Sequence, residues 1–291
     1  MDAKKQHTVP QFYLRDFAFR NRAWAVRKGS HGWFDNPFEA NVRDLCSMRN
    51  YHEVKVSHAG SPGDLSIRNR VEKQLSKQEH DLTGPLRDVT SAQKLATLKV
   101  VTAQNLDSMK NLLAHMMVRN PINLDSAREE SEEFSKSLVA KGLLSQGDLS
   151  FLDAIGLTPS ELTEHSIIRA ELWSLEEGTP MRSVLSWLDD AGVLLLRARV
   201  GSQFVTADVP FELGWADAKS ELPSHIFFPL DWRTAVIFHT YDRELSSRYA
   251  EADEVSWWNW VLAKWCEDTS MVVAKSEQAL RLVMGESGGS S

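Results

Sequence analysis

GVLLLRAR, residues 192–199, reads as a buried strand, and with it the character of the chain changes. Three more apolar runs follow it: FVTAD at 204–208, HIFFPL at 225–230 and TAVIFHTY at 234–241. Each is short, rich in β-branched or aromatic residues and bounded by turn formers, so each reads as a strand. Upstream, AWAVRK at 23–28 alternates and predicts a further short strand, with others near 42–46 and 51–56.

Between these strand regions the pattern is helical. Leu75, Leu82 and Leu86 form one stripe of a helix over 64–88, which Gly84-Pro85 kinks or ends. Leu95, Leu98, Met109, Leu112 and Met116 share a face of a helix over 91–118. It ends at Arg119-Asn120-Pro121, since the residue before proline leaves the helical region. Further helices are expected over 125–142, 147–154, 158–174 and, carrying Trp257, Trp258, Trp260 and Trp265, over 254–274. The expected class is α+β: a helix-rich middle and a small, mostly antiparallel sheet from N-terminal and C-terminal strands. Residues 1–284 are expected to form a single domain, and GESGGSS at 285–291 a flexible tail.

With 42% hydrophobic residues the chain can bury a substantial core, yet it has no run of eighteen apolar residues to cross a membrane. The start MDAKKQHTVP lacks the apolar stretch of a secretory signal. Cys46 and Cys266 lie far apart, so neither a disulfide framework nor zinc spacing is implied, and a cytoplasmic location is expected. The net charge of −7 argues against indiscriminate coating of nucleic acid. Locally the first 43 residues are basic, with eight Lys/Arg against four Asp/Glu.

Polar residues in unusual places are the candidates for chemistry. His7 precedes a helix opened by Pro10 and expected over 9–19, where the helix dipole would favour a neutral imidazole, a base or a metal ligand; it also fits a plain cap. Glu72 and Glu79 interrupt the stripe at 72, 75, 79, 82 and 86, about 10 Å apart along the axis, too far to bind one ion together. Arg119 ends its helix either as a dipole partner or as a clamp for carboxylate or phosphate. Asp208, before Val209-Pro210, places a carboxylate at a strand end or simply bonds its own turn. No phosphate loop, nucleophile elbow or HExxH motif occurs.

These residues recur in order in a large, mostly bacterial family, domain-of-unknown-function family 4238, which the chain resembles over almost its whole length. The signature His-x-x-Pro-x-x-Tyr-Leu-x-x-Phe is met by His7, Pro10, Tyr13, Leu14 and Phe17. Two glutamates in a mid-chain helix are met by Glu72 and Glu79, and an Arg-x-Pro by Arg119 and Pro121. The family's Thr-Ser-Asp-x-Pro is similar to Thr206-Ala207-Asp208-Val209-Pro210, where Ala207 replaces the serine. The resemblance implies that His7, Glu72, Glu79, Arg119 and Asp208 act together.

The expectation is therefore a hydrolase, nuclease-like, acting on a phosphodiester or nucleotide, in a defence or toxin system. His7, Glu72, Glu79, Arg119 and Asp208 would be catalytic, Glu79 and Asp208 would hold a divalent metal (Mg²⁺ or Mn²⁺), and Tyr13 and Arg119 would bind substrate. The alternative is a non-enzymatic sensor or interaction module in which the same cluster is structural. Expected partners are nucleic acid or nucleotide, no membrane, and a second copy through the 254–274 helix.

Overall fold

The computed structural model describes residues 5–29, 34–49, 77, 79–84, 86–90, 102–118, 120–154, 158–159, 182–216, 220, 223–265 and 269–285. Glu72, Arg119, the strand expected over 51–56 and most of the helices expected over 64–88 and 158–174 lie outside these residues. The class is α+β, with helices and largely antiparallel sheets.

Among the described residues the strands divide into three sheets rather than one. The largest has the order β10-β5-β9-β8-β7, built from Gly192–Ala198 (β5), Glu212–Gly214 (β7), His225–Pro229 (β8), Thr234–His239 (β9) and Leu245–Ala250 (β10). Its pairs are antiparallel except β10 on β5. The second, β3-β2-β11-β6, joins the N-terminal strands Arg22–Arg27 (β2) and Phe38–Asn41 (β3) to Thr206–Ala207 (β6) and Met271–Ala274 (β11). Lys5–His7 (β1) and Ser47–Arg49 (β4) form a two-stranded ribbon.

The apolar run that opened the reading is explained by its position. β5 is an interior strand covered on both faces, so it lacks the alternation of a half-exposed strand. Val193 and Leu195 point into the main core with Ile226, Phe228, Val236 and Phe238, against the helix Ala103–Val118 through Met109, Leu112, Leu113 and Met116. Leu196, Ala198, Phe227, Ala235 and Ile237 point the other way, and Val255 and Trp258 of the helix Ala252–Trp260 pack on them. Trp258 stacks on Phe227 with centroids 4.4 Å apart. This second face matters for function, because the helix covers only part of it.

Several local expectations change. The helix expected over 9–19 is a four-residue helix, Gln11–Leu14, followed by a 3-10 turn, Arg15–Phe17. The strand expected over 42–46 is a 3-10 turn, Val42–Asp44, whose Arg43 amide donates to the Asn41 side chain at 3.1 Å. The helix expected over 254–274 ends at Trp260; a π-helical turn follows over Val261–Trp265, and Met271–Ala274 becomes β11. The reason is tertiary: Val272, Val273 and Ala274 are wholly buried between β2 and β6, which a strand satisfies on both sides. The helix Glu277–Met284 follows, with the Ser276 hydroxyl accepting from the Ala279 amide. Gly285, read as tail, closes that helix at φ 82°, a left-handed position suited to glycine.

Tyr13 ties the sheets together. Its ring is fully buried, its hydroxyl donates to the Pro229 carbonyl of β8 at 2.6 Å, and it shares a 2.8 Å hydrogen bond with the Thr206 hydroxyl of β6.

Candidate functional site

The register of the five-stranded sheet sets four residues in one row on its second face. Gly192 of β5 pairs with His239 of β9, His239 with His225 of β8, and His225 with Gly214 of β7. Side chains alternate along strands, so the row lies on the same face as Ile237 and Phe227. The sequence of the row is Gly-His-His-Gly, and the glycines are what let the rings lie down. A Cβ on Gly214 would stand 1.9 Å from the His225 ring. One on Gly192 would stand 2.6 Å from the His239 ring and 2.1 Å from the Asp242 carbonyl oxygen.

Beside the row the helix Ala252–Trp260 leaves the sheet uncovered, and a cavity of about 580 Å³ opens there. Its floor is Leu194, Ile237, His225 and His239; its walls include Tyr241, Trp257, Trp258, Ser246, Ser247 and Arg248. That size falls in the range of small-molecule sites. Trp257 is 52% exposed and Tyr241 78%, so two aromatic rings stand at the mouth. The Tyr241 ring stacks on His239 at 5.7 Å, and Trp257 meets Trp258 edge-on at 4.5 Å.

Glu212, one row along on β7, backs His225. Its carboxylate oxygen is 3.6 Å from His225 Nε2, and the side chain is 10% exposed. Oε2 of Glu212 and Nδ1 of His239 are buried without a hydrogen-bond partner among the described residues. Burial lifts the Glu212 carboxyl to about 7. Burial, and then the neighbouring His239, pushes the His225 imidazole below its ordinary value. At neutral pH the pair thus holds an exchangeable proton beside a neutral ring, which is the arrangement acid–base chemistry needs. Ser224 Oγ lies 3.2 Å from His225 Nδ1 and fixes the ring from its other edge.

The described residues singled out from sequence lie elsewhere in the fold. His7 ends β1, and its Nε2 lies 3.1 Å from the Arg43 carbonyl and its Nδ1 3.4 Å from the Gln11 amide. The helix after it has four residues, too few for the dipole effect invoked above. Asp208 accepts from the Ser270 amide at 3.0 Å, the Met271 amide at 3.0 Å and the Ser270 hydroxyl, locking β6 to the start of β11. Its carboxyl is raised by burial, against the pull of those hydrogen bonds. Tyr13 bonds to Thr206 of β6, Asp208 directly follows that strand, and Thr8 donates to the Cys46 carbonyl. The Cys46 thiol is free, buried and pushed up by burial and then by Asp208. Glu79 is half-buried in helical residues 79–84. None of His7, Tyr13, Glu79 and Asp208 lines the cavity. Among the described residues no group of three or more His, Cys, Asp or Glu is placed to hold a metal ion, and no helix is long and apolar enough to cross a membrane.

The histidine row was readable in principle. His225 opens one strand and His239 closes the next, so folding them as a hairpin sets the two opposite each other. Glu212 gave no such signal, since β7 is three residues long.

A family model described as "Protein of unknown function (DUF4238)" matches residues 5–278. The chain belongs to the DUF4238 family. The match spans both main sheets of this DUF4238 protein, the histidine row and the Tyr13–Asp208 neighbourhood alike. No curated protein and no solved structure matches it.

Proposed function

We propose that the protein is a hydrolase of nucleotides or phosphodiesters and that it acts at the histidine row. The observation that carries this reading is the Glu212–His225 contact beside His239 at the base of an aromatic-walled cavity. Exposed Trp257 and Tyr241 offer faces on which a planar base stacks. Ser246, Ser247 and Arg248 supply donors on the β10 side.

In the reaction a water attacks phosphorus and passes its proton to the imidazole of His239. The leaving oxygen takes a proton from the His225–Glu212 pair. One water is consumed, one P–O bond forms and one breaks, and proton exchange with solvent resets the two groups. Glu212 is a positioning and proton-holding residue. These steps use only water and this chain's own residues. The buried thiol of Cys46 fits a reducing, cytoplasmic setting.

The test is a hydrolysis assay over linear and cyclic dinucleotides, nucleoside phosphates and an aryl phosphodiester. Wild-type protein is expected to turn over at least one, and His225→Ala and His239→Ala to lose about 100-fold or more while melting normally. Equal rates in wild type and both variants would refute the proposal.

A further inference from the structure

Arg248 stands in the cavity wall with its donors already engaged. Its two terminal nitrogens meet the two carboxylate oxygens of Glu254 at 2.7 Å each, a fork-to-fork pair. That is the geometry in which a guanidinium grips a phosphate. Arg248 lies on β10 beside Leu196, and Ser246 and Ser247 of the same strand also line the cavity. Glu254 sits in the first turn of the helix Ala252–Trp260, three residues before Trp257, so the carboxylate and that ring project from neighbouring positions of one helix face. The guanidinium side chain is 50% exposed, and such surface pairs contribute little.

We infer that Arg248 is the phosphate contact of the cavity and that Glu254 is an internal competitor which an incoming phosphate displaces, so the site takes a nucleoside monophosphate with its base against Trp257. This rests on the reading of the cavity as the substrate site and names what that site holds. The chemistry follows from exchange of like for like. A phosphate presents the same paired oxygens as Glu254, carries more charge, and brings a base that Glu254 lacks. The Asp242 carboxylate, also in the cavity lining, accepts from the Glu244 amide at 3.0 Å. Nucleosides without phosphate should bind by the base alone and leave the Arg248–Glu254 pair closed.

The test is tryptophan fluorescence on rapid mixing of the full chain with the four common ribonucleosides, their 5′-monophosphates and inorganic phosphate, before turnover. At least one monophosphate should bind more tightly than its nucleoside. Arg248→Gln should abolish that difference, and Arg248→Lys, which keeps charge without the fork, should leave part of it. Glu254→Gln should tighten the monophosphate by about fivefold, the release of a pair contributing about 1 kcal/mol, and leave the nucleoside unchanged. Inorganic phosphate should compete with the monophosphate in wild type and not in Arg248→Gln. A nucleoside that binds with no gain from its phosphate, or a gain that survives Arg248→Gln, would overturn this inference and leave the cavity reading standing. Failure of nucleoside and monophosphate alike to bind would overturn both.

Discussion

His225 and His239 face each other across the β8–β9 pair, each ring lying over a glycine of the strand beyond. Two imidazoles in register place the second within the field of the first, which is one cause of the lowered His225 value. The two glycines then predict different failures.

Gly192→Ala brings a Cβ against a backbone oxygen, that of Asp242, which cannot swing away. A loss of about 1–3 kcal/mol is expected in denaturant melts. For Gly214→Ala the nearest atoms are those of the His225 ring, a side chain rather than backbone. Its melt should move less than that of Gly192→Ala, while hydrolysis falls as far as in His225→Ala. A Gly214→Ala protein with full activity would show that the seat of His225 is unimportant.

Stability should fall as pH rises from about 4, the ordinary carboxylate range, to about 7. Asp16 and Glu212 are lifted to about 7 and Asp231 to about 6, all first by burial, with Asp231 adding to Asp16. A carboxyl raised in the folded state stabilises it below the ordinary carboxylate range, and that contribution disappears as pH climbs through the raised value. His225 runs the other way, since a depressed imidazole costs stability as pH drops through its ordinary range. Three carboxyls outweigh one imidazole. Glu212→Gln should flatten the fall between about pH 4.5 and 7 and melt higher than wild type at pH 8, by up to about 3 kcal/mol. A variant less stable than wild type at pH 8 would mean the carboxylate is favoured where it lies.

Tyr13→Phe removes one hydroxyl that serves both sheets, leaving the Pro229 carbonyl and the Thr206 hydroxyl buried and unmatched. A cost of about 1–3 kcal/mol is expected, with hydrolysis per folded molecule unchanged. Loss of activity at full stability would return Tyr13 to the substrate.

Asp208→Ala strips the Ser270 and Met271 amides of their acceptor at the start of β11. About 2 kcal/mol or more should be lost, because hydrogen bonds to a charged group are among the stronger ones. Asp208→Asn, which keeps an acceptor oxygen, should recover part of that loss.

Legibility from sequence followed how local each cause was. GVLLLRAR, HIFFPL and TAVIFHTY declare themselves because burial on both faces writes an apolar run. Leu245–Ala250 was missed because it is an edge strand, partly exposed, with no apolar run. Met271–Ala274 was absorbed into a helix because its strand character comes from β2 and β6, more than sixty residues away. Tyr13 of the N-terminal signature bonds to Pro229 and Thr206, and Asp208 bonds to Ser270 and Met271, so both hold the frame. The cavity depends on strand register, and register is written in turns and partners that no single segment contains.

The claim that the histidine row is the ligand site has a direct measurement in the side-chain NMR of the nine histidines on addition of nucleotide. The account predicts that the His225 and His239 ring signals, assigned by His→Gln variants, move and that His225 changes its pH titration, while the His7 signal stays still. Movement of His7 with His225 and His239 unmoved would contradict it.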